Sequence, residues 1–404
     1  PMRPFEDMRA ALLAAATPLS TVEQVPTAEA LGRVLAVDQI SSLDVPPLDN
    51  SSMDGYALRC ADLPAAGARL VVAQRIPAGS VGHTLAPGTA ARIFTGAPIP
   101  HGADAGVMQE LCSLDGDGVL IDHLPRPGEW IRRAGEDIAR GAVVLTAGQR
   151  LGPQMLGLAA SVGCATLPVF RRLRVALFST GDELVMPGEP LPPGAIYNSN
   201  RYVLRGLLEA LGSQVCDLGI VPDSLEATRA ALRAAAGSND LIITSGGVSV
   251  GEEDHVKPAV QAEGQLDLWL VAMKPGKPVA FGRVNDPAGG NGADFIGLPG
   301  NPVSSFVTFL MLVRPFILRR MGVEDCLPHS IRLPAGFDWP RPDRRREFLR
   351  ARVGEAGQVE LFPNQGPGVL SSTVWAAGLV DNPAGHAIAQ GEPVSFIPYS
   401  ELLS

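Results

Sequence analysis

Three short loops combine glycines with hydroxyl or amide side chains, and each follows a stretch of apolar residues. The loops begin at Ser179, Ser245 and Pro299. Glycines leave backbone N–H groups open, and such groups can surround a phosphate or another oxyanion. Any one such loop is ordinary turn and capping chemistry, but three together favour a binding site. The residues predicted to bind substrate are Ser179, Thr180, Gly181, Ser245, Gly246, Gly247, Ser249, Pro299, Gly300, Asn301 and Pro302.

Acidic residues lie beside these loops. Asp182 and Glu183 follow the first loop, Asp254 follows the second, and Asp223 follows another apolar stretch. Carboxylates repel a phosphate unless a divalent cation lies between them, so we predict a Mg²⁺ site formed by Asp182, Glu183 and Asp254. The alternative is that acids at helix N-termini only complement the helix dipole, and it is favoured for the two glutamates that precede Asp254.

The chain has 33 basic residues, but only Lys257, Lys274 and Lys277 are lysines. Two of them lie in the segment Lys274-Pro275-Gly276-Lys277-Pro278, where the prolines and the glycine stiffen the loop and fix the direction of both ammonium groups. Lysine is a compact point charge that suits a tetrahedral oxyanion, whereas arginine prefers flat, bidentate partners. We interpret Lys274 and Lys277 as anion-binding residues, with chance clustering as the alternative.

Charge and composition exclude several classes of protein. The net charge of −9 over 404 residues argues against a nucleic-acid partner, because no strongly basic face is available to displace counterions. Six arginines between Arg341 and Arg352 are interpreted as a solvated surface, with an anion-binding edge as the alternative. The 45 Gly and 36 Pro exclude a coiled coil. Five cysteines without a CxxC pair predict reduced thiols. The apolar run 303–318 is interrupted by polar residues and Pro315, so we expect a soluble, cytoplasmic protein without a membrane span.

The middle of the chain alternates predicted strands and helices, which is typical of a doubly wound, largely parallel sheet. The strands are predicted over 173–178, 215–221, 241–244 and 294–298, and the helices over 199–211, 224–236, 253–263 and 302–320.

The flanking regions differ from this α/β section. Helical spacing is predicted over 5–16 and 28–37, and residues 136–170 are predicted to return to helix that ends near Gly163. The insert between them favours short strands, at 70–73, 91–95 and 119–122, and the residues after 330 predict a small β-domain.

The motifs together closely resemble the molybdopterin molybdenumtransferase family, known as MoeA in bacteria and as the gephyrin E-domain in animals. The resemblance covers nearly the whole chain in order. The matching motifs are DNSSMDGYAL (49–58), RIFTGAPIP (92–100), IRRAGEDI (131–138), FSTGDEL (178–184), GAIYNSNRY (194–202), TSGGVSVGEEDHVK (244–257), KPGKPVAFG (274–282), GLPGNPVS (297–304) and QGPGVLSS (365–372).

The resemblance implies an α/β and β multidomain fold. Its parts would be a helical linker domain in two segments (1–45 and 136–170), an inserted β-rich domain (46–135), a central doubly wound α/β domain that resembles molybdopterin-binding domains (171–325) and a C-terminal β-barrel (326–404). It also implies an elongated homodimer with an active site shared between subunits.

The resemblance further implies the last step of molybdenum cofactor synthesis, in which molybdate is inserted into adenylylated molybdopterin with Mg²⁺-dependent release of AMP. A molybdopterin adenylyltransferase would supply the substrate. The implied catalytic residues are Asp54, Thr95, Asp137, Glu183, Asp223, Asp254 and Lys274, and the residues implied to hold molybdate are Lys277, Pro278, Arg350 and Ser371. Asp54 and Thr95 lie in the insert and would reach the α/β site of the partner subunit.

Two alternatives stay open from the sequence. A related α/β domain adenylylates molybdopterin, but the extra β-regions here argue against that assignment. A scaffold without activity is the other alternative, although the lysines and acids of the site are all present. Two positions depart from the family pattern: Leu270 stands where some members carry Lys, and Ala377 where Asn is common.

Overall fold

The computed structural model describes residues 2–248 and 254–403. Its first 170 residues form short strands with two helices, in keeping with the glycines and prolines that punctuate them. The helices are α1 (Phe5–Ala15) and α2 (Pro153–Ser161). The strands are β1 (Val22–Pro26), β2 (Gln39–Ile40), β3 (Asn50–Ser51), β4 (Gly55–Leu58), β5 (Ala68–Ile76), β6 (Thr89–Ile93), β7 (Ala105–Met108), β8 (Cys112–Asp115), β9 (Gly118–Ile121), β10 (Ile131–Arg132), β11 (Val143–Leu145) and β12 (Thr166–Phe170).

Two antiparallel pairs, β1 with β12 and β2 with β11, join the chain segments on either side of the insert. The helix predicted over 28–37 is wrong: a 3₁₀ turn ends at Glu29, and the fully buried Leu35 then pairs with Val169 in extended conformation. The apolar spacing arises because this segment lies between two other extended segments: Val34 pairs with Arg150, and Leu35 pairs with Val169. In residues 136–170, all of them described, helix is confined to α2, so the linker contains more β-structure than predicted.

Helix α1 confirms the prediction over 5–16, but its apolar face packs on the central domain. Phe5, Met8 and Leu12 join the core on one face of the central sheet. The Phe5 ring also lies 5.2 Å from the ring of Phe348. The helix therefore ties the central domain to the C-terminal part of the chain.

The insert is a six-stranded sheet in the order β7-β4-β6-β5-β9-β8. The three strands predicted there are confirmed as β5, β6 and β9. Strand β4 pairs with β7 on one side and with β6 on the other, and all of its residues are buried. This packing fixes the position of the Asp54 loop, which directly precedes the strand.

In its described residues, the central domain confirms every strand and helix predicted between 173 and 320; residue 253, where one predicted helix begins, lies outside them, and that helix starts at Val256. Its strands are β13 (Arg174–Thr180), β14 (Leu184–Val185), β15 (Ile196–Tyr197), β16 (Gln214–Val221), β17 (Leu241–Ser245), β18 (Gly264–Leu270), β19 (Met273–Lys274), β20 (Pro278–Val284) and β21 (Ala293–Leu298), and its helices are α3 (Asn200–Ala210), α4 (Leu225–Ala236), α5 (Val256–Glu263), α6 (Pro302–Thr308) and α7 (Arg314–Arg320).

These strands form a six-stranded sheet in the order β16-β13-β17-β21-β20-β18. The first four are parallel, and β20 and β18 extend the sheet in antiparallel fashion. Alternate residues of β13 enter different cores: Val175 and Leu177 on one face, Ala176 and Phe178 on the other. Both faces are covered, as the continuous apolar runs predicted.

Helices α6 and α7 form one helical segment with a π-turn at Phe309–Val313 between them. The turn ends two residues before Pro315, which has no N–H to continue the α-helical ladder. Among the described residues, Pro302–Arg320 alone is long and apolar enough to cross a membrane, but 89% of its most apolar window is buried inside the fold. It is thus packed as a core helix.

The C-terminal part confirms the predicted β-domain. It contains β22 (Ile331–Pro334), β23 (Arg346–Val353), β24 (Val359–Leu361), α8 (Ser371–Trp375), β25 (Gly378–Asn382) and β26 (Pro393–Pro398). The strands run in the order β23-β25-β26-β22, and β24 pairs with β23. A bridge between Ala335 and Val359 joins the end of β22 to β24 and closes a small barrel. Strand β19 of the central domain also pairs with β23.

Candidate active site

A cavity of about 740 Å³ opens at the carboxyl ends of β13, β17 and β21. Open α/β sheets bind ligands at this edge, because the loops after parallel strands meet there. All three loops predicted from the sequence reach the cavity. The predicted residues that line it are Thr180, Gly181, Glu183, Asp223, Ser245, Gly246, Gly247, Asp254, Lys274, Lys277, Pro278, Pro299, Gly300, Asn301 and Pro302.

The loop after β17 brings its backbone close to the loop after β13. Gly246 and Gly247 have φ angles of 84° and 69°, a left-handed conformation that side chains disfavour. A Cβ on Gly246 would lie 2.9 Å from the Thr180 carbonyl oxygen, and a Cβ on Gly247 would overlap the Val256 side chain. Both positions therefore require glycine, and this wall of the cavity is bare backbone.

The loop after β21 is held by a residue that we did not predict. Asn200, at the start of α3, donates a hydrogen bond from Nδ2 to the Gly300 carbonyl oxygen (2.8 Å). Asn200 lines the cavity, and its buried Oδ1 has no hydrogen-bond partner among the described residues. Its place in the motif at 194–202 was the one signal in the sequence.

Three carboxylates line the cavity: Glu183, Asp223 and Asp254. Asp254 Oδ1 accepts a hydrogen bond from the Val256 N–H (3.2 Å), whereas its buried Oδ2 has no partner in the described parts of the chain. Burial raises the pKa of the Asp254 carboxyl above its ordinary value, and the nearby Asp223 charge adds to that rise. A buried carboxylate oxygen without a partner is a suitable ligand for a cation.

The predicted Mg²⁺ ligands are brought together only in part. Glu183 and Asp254 line the cavity, whereas Asp182, which the structure also describes, does not. Within residues 2–248 and 254–403, no three acidic, His or Cys side chains are close enough to hold a metal ion by themselves. Oxygens of Asp254, Glu183 and Asp223, together with those of a substrate, are the donors that fit Mg²⁺. The metal site stays a prediction.

Lys274 lies where the central domain meets the barrel. Its Nζ is 3.4 Å from Asp343 Oδ2 and 3.5 Å from Glu347 Oε1. Glu347 is fully buried and accepts a hydrogen bond from Trp339 Nε1 (2.8 Å). These two carboxylates of the C-terminal domain fix the direction of the Lys274 ammonium group.

Lys277 is held differently from Lys274. It is exposed at the cavity rim, and its ammonium group pairs with no described residue. Between the two lysines, Gly276 has a φ of 100°, and a Cβ there would overlap the Thr308 hydroxyl. The loop thus needs glycine to bring to one cavity the paired ammonium group of Lys274 and that of Lys277, which has no partner among the described residues.

The barrel contributes residues that sequence reasoning missed. Arg345, Gln365 and Pro367 line the cavity. Gln365 Oε1 accepts a hydrogen bond from the Arg350 N–H (2.8 Å), and its Nε2 donates one to the Arg350 carbonyl oxygen (3.0 Å). Gln365 lies in the motif at 365–372, and Arg345 lies in the arginine run that we interpreted as solvated surface.

Arg350 and Ser371, which the resemblance assigns to molybdate, do not line the cavity of this chain. Arg350 is fully buried and donates hydrogen bonds to the Phe348 carbonyl oxygen (3.0 Å) and to Ser372 Oγ (3.2 Å). Burial lowers the pKa of its guanidinium to about 10. Ser371 is exposed at the start of α8. Their contact with molybdate stays a prediction.

Ser179, one of the predicted loop serines, does not line the cavity. Ser179 is fully buried beneath the loops, with its Oγ 3.3 Å from Ser245 Oγ. It supports the loop after β17 from below. Ser249 lies outside the described residues.

The structure places the three predicted catalytic residues of the first third away from the cavity of the same chain. Asp54, Thr95 and Asp137 are all exposed, and none of them lines it. Thr95 donates hydrogen bonds to Asp54 Oδ1 from its N–H (2.8 Å) and from its hydroxyl (3.0 Å). The backbone hydrogen bond from Thr95 lowers the pKa of Asp54. Asp54 is thus presented as an ionised carboxylate at the surface.

Profiles of three known protein regions match successive parts of the chain. The MoeA N-terminal region (domain I and II) matches residues 3–163, the probable molybdopterin binding domain matches 176–319, and the MoeA C-terminal region (domain IV) matches 332–399. Their order follows that of the insert-bearing, central and barrel regions.

Relatives match the chain over nearly its whole length. It is 42% identical over 388 residues to the molybdopterin molybdenumtransferase of Haemophilus influenzae, covering 93% of each chain. It is 42% identical over 376 residues to molybdopterin molybdenumtransferase 2 of Mycobacterium tuberculosis H37Rv, covering 89% of this chain and 90% of that one. The crystal structure of the molybdopterin biosynthesis moeA protein from Pyrococcus horikoshii OT3 matches with a TM-score of 0.84 and 28% identity, over 99% of this chain and 100% of that one. The resemblance shown by the motifs is confirmed: the chain belongs to the MoeA family, the family of the molybdopterin molybdenumtransferases.

Proposed function

We propose that the protein inserts molybdate into adenylylated molybdopterin and releases AMP with the help of Mg²⁺, the last step of molybdenum cofactor synthesis. The names of its relatives support molybdenum transfer. The observation that carries the proposal is the composition of the cavity, in which bare glycine backbone, two lysines and three carboxylates converge at the carboxyl edge of the sheet. Its volume of about 740 Å³ suits a nucleotide-sized ligand.

Both proposed substrates are anions, and the cavity has separate groups for the tasks that this requires. Lys274 and Lys277 offer positive charge to the oxyanion, while the loops after β13, β17 and β21 surround the phosphate groups. Cleavage of a phosphoanhydride depends mainly on positioning and on charge neutralisation. Asp254 and Glu183 would hold a magnesium ion, which supplies neutralising charge at the phosphate oxygens.

We further propose that the active enzyme is a homodimer whose sites are shared. Asp54 and Thr95 support this, because an exposed and locally fixed carboxylate that lies away from its own cavity is free to approach a second chain. Such sharing requires a two-fold arrangement in which each insert faces the partner's central domain. Asp137, exposed just after the insert, would approach the partner's cavity together with them.

The proposed division into domains keeps the boundaries drawn from the sequence: a linker at 1–45 and 136–170, an insert at 46–135, the α/β domain at 171–325 and the barrel at 326–404. Separate cores for the insert, the linker and the barrel support that division. We place the enzyme in the cytoplasm, where a molybdopterin adenylyltransferase would supply its substrate.

The test is an assay of AMP release from adenylylated molybdopterin. We expect release that requires both molybdate and Mg²⁺, together with molybdenum retained on the pterin. The same assay with ATP and free molybdopterin tests the adenylyltransferase alternative, for which we expect no adenylylated product. A wild-type protein that releases no AMP under any of these conditions would favour the scaffold alternative and refute the proposal.

A further inference from the structure

The arginine run between 341 and 352 does not form one uniform surface. Arg346 pairs with Asp381, and Arg352 pairs with Glu360. Arg344 is exposed at the surface. Arg345 alone among the arginines of the run lines the central cavity, although it belongs to the C-terminal domain. The two interpretations of the run therefore apply to different residues, and the anion-binding one applies at this position.

Asp343 holds Arg345 along one edge of its guanidinium group. Arg345 Nε donates to Asp343 Oδ1 (3.0 Å), and Nη2 donates to Oδ2 (2.9 Å). The backbone N–H of Arg345 also donates to Oδ1 (2.9 Å), so residues 343–345 form a tight, self-locked turn. A guanidinium has five N–H donors. Nη1 donates to no residue in the described parts of the chain, which leaves its donors for a ligand.

The same carboxylate reaches across the domain boundary. Asp343 Oδ2 lies 3.4 Å from Lys274 Nζ as well as 2.9 Å from Arg345 Nη2. One acidic side chain thus sets the direction of two cations that come from two domains and line one cavity.

We propose that Arg345 is a further ligand-binding residue of this cavity, and that Asp343 is the positioning residue that aims Arg345 and Lys274 at the same anion. The ligand is a tetrahedral dianion, either a phosphate group or a molybdate-type oxyanion. Only the identity of the ligand rests on the proposed function; the placement of the cations does not.

Because each of the two cations is paired with a carboxylate, we expect them to contribute directed hydrogen bonds to an anion rather than net positive charge. Arg345 and Lys274 are offset by Asp343 and the buried Glu347, so the four groups carry no net charge together. An anion is bound there by aimed N–H donors, as in charge-assisted hydrogen bonds with fixed geometry. Lys277, which pairs with no described residue, supplies the uncompensated charge that attracts the anion.

Two probes distinguish the sources of the anion. We would measure the dissociation constants of AMP and of molybdate separately, by calorimetry, for the wild type, Arg345→Gln and Arg345→Lys. For Arg345→Gln we expect at least about tenfold weaker binding of one or both probes. Arg345→Lys should recover part of that loss, because it keeps the charge but not the fork. Weaker binding of AMP alone would show that Arg345 binds a phosphate group, and weaker binding of molybdate alone would show that it binds the metal oxyanion. Weaker binding of both would show that Arg345 contacts both ligands.

Arg344→Gln is the matched control, because it removes the same charge from the adjacent, exposed position. We expect it to change both dissociation constants less than about twofold. The proposal is overturned if Arg345→Gln binds both probes as the wild type does, if Arg344→Gln weakens them equally, or if the wild type binds neither probe.

Asp343→Asn tests the positioning role through a double-mutant cycle. If Asp343 acts partly through Arg345, its substitution weakens probe binding less in an Arg345→Gln background than in the wild type. Equal losses in the two backgrounds would overturn that role, and thermal melting of each variant identifies a simple folding defect. Because the probes bind without turnover, a failure of molybdenum transfer would leave these results interpretable.

Discussion

The cavity of the central domain and the Asp54 loop of the insert both carry predicted catalytic acids, but they hold them in opposite ways. Asp254 is half-buried, its Oδ2 has no partner among the described residues, and its pKa is raised by burial. Asp54 is exposed, accepts two hydrogen bonds from Thr95, and has a lowered pKa. In the cavity, a bound ligand or cation would therefore supply the contact that Asp254 Oδ2 lacks among the described residues. In the insert, the Asp54 carboxylate is already fixed by hydrogen bonds and is exposed to solvent.

The largest effect should come from Asp254, whose Oδ2 has no partner among the described residues. We expect Asp254→Asn to reduce AMP release at least about a hundredfold, because it removes the anionic oxygen that fits the cation. It should not lower the melting temperature, since the Oδ1 hydrogen bond is retained and a desolvated charge is removed.

Asp182→Asn is the control for that comparison. Asp182 precedes the lining residue Glu183 but does not itself line the cavity, so we expect less than about a threefold loss of AMP release. Equal losses for the two variants would contradict the account of which acids serve the cavity.

Within the cavity, the two lysines also differ in how firmly their ammonium groups are held. Lys274 is fixed by two carboxylates, so we expect Lys274→Arg to lose about tenfold or more in AMP release, because a planar fork does not reproduce a point charge between Asp343 and Glu347. Lys277→Arg keeps the charge of an exposed group and should lose less than about threefold. Full activity of Lys274→Arg would show that positive charge alone suffices there.

Backbone strain offers a test on stability. Gly247→Ala should lower the free energy of unfolding by about 1–3 kcal/mol, because its φ is left-handed and the new methyl group meets Val256. Gly300→Ala is the matched control in the same cavity, since its Cβ would be 3.8 Å from the nearest atom. Urea unfolding of both variants measures the difference, and equal destabilisation would contradict the left-handed, closely packed position of Gly247 against Val256.

The smallest effect is expected in the insert. Thr95→Val removes one of the two hydrogen bonds to Asp54 and keeps the backbone one, so AMP release should fall only a fewfold. Because hydrogen bonds from Thr95 lower the pKa of Asp54 in the folded state, the stabilisation by Thr95 is present at neutral pH and is lost as the pH falls through that lowered pKa. Melting curves of wild type and variant should therefore converge in acid; a constant difference would contradict this role of Asp54.

Local sequence patterns predicted the parts of the site that lie on single loops. The strands β13, β17 and β21 are buried on both faces and read as apolar runs, so the loops after them could be placed at one edge. The same reasoning failed at 28–37, where apolar residues pack between extended neighbours and only mimic helical spacing.

Long-range packing accounts for most of what the sequence did not show. Arg345 and Gln365 reach the cavity because β19 of the central domain pairs with β23 of the barrel and because Asp343 of the barrel forms an ion pair with Lys274. No local spacing encodes that pairing. Likewise, the full burial of Arg350 follows from closure of the barrel around it, whereas the resemblance had implied only that it holds molybdate.

The central claim, that cavity and insert loop serve one site across two chains, is tested most directly by mixing two inactive variants. Asp54→Asn and Asp254→Asn would be denatured together, refolded at equal amounts and assayed for molybdate-dependent AMP release. A shared site predicts recovery of about a quarter of wild-type activity, because half of the dimers are mixed and each mixed dimer has one intact site. No recovery above either variant alone, with mixed dimers demonstrated, would contradict the account.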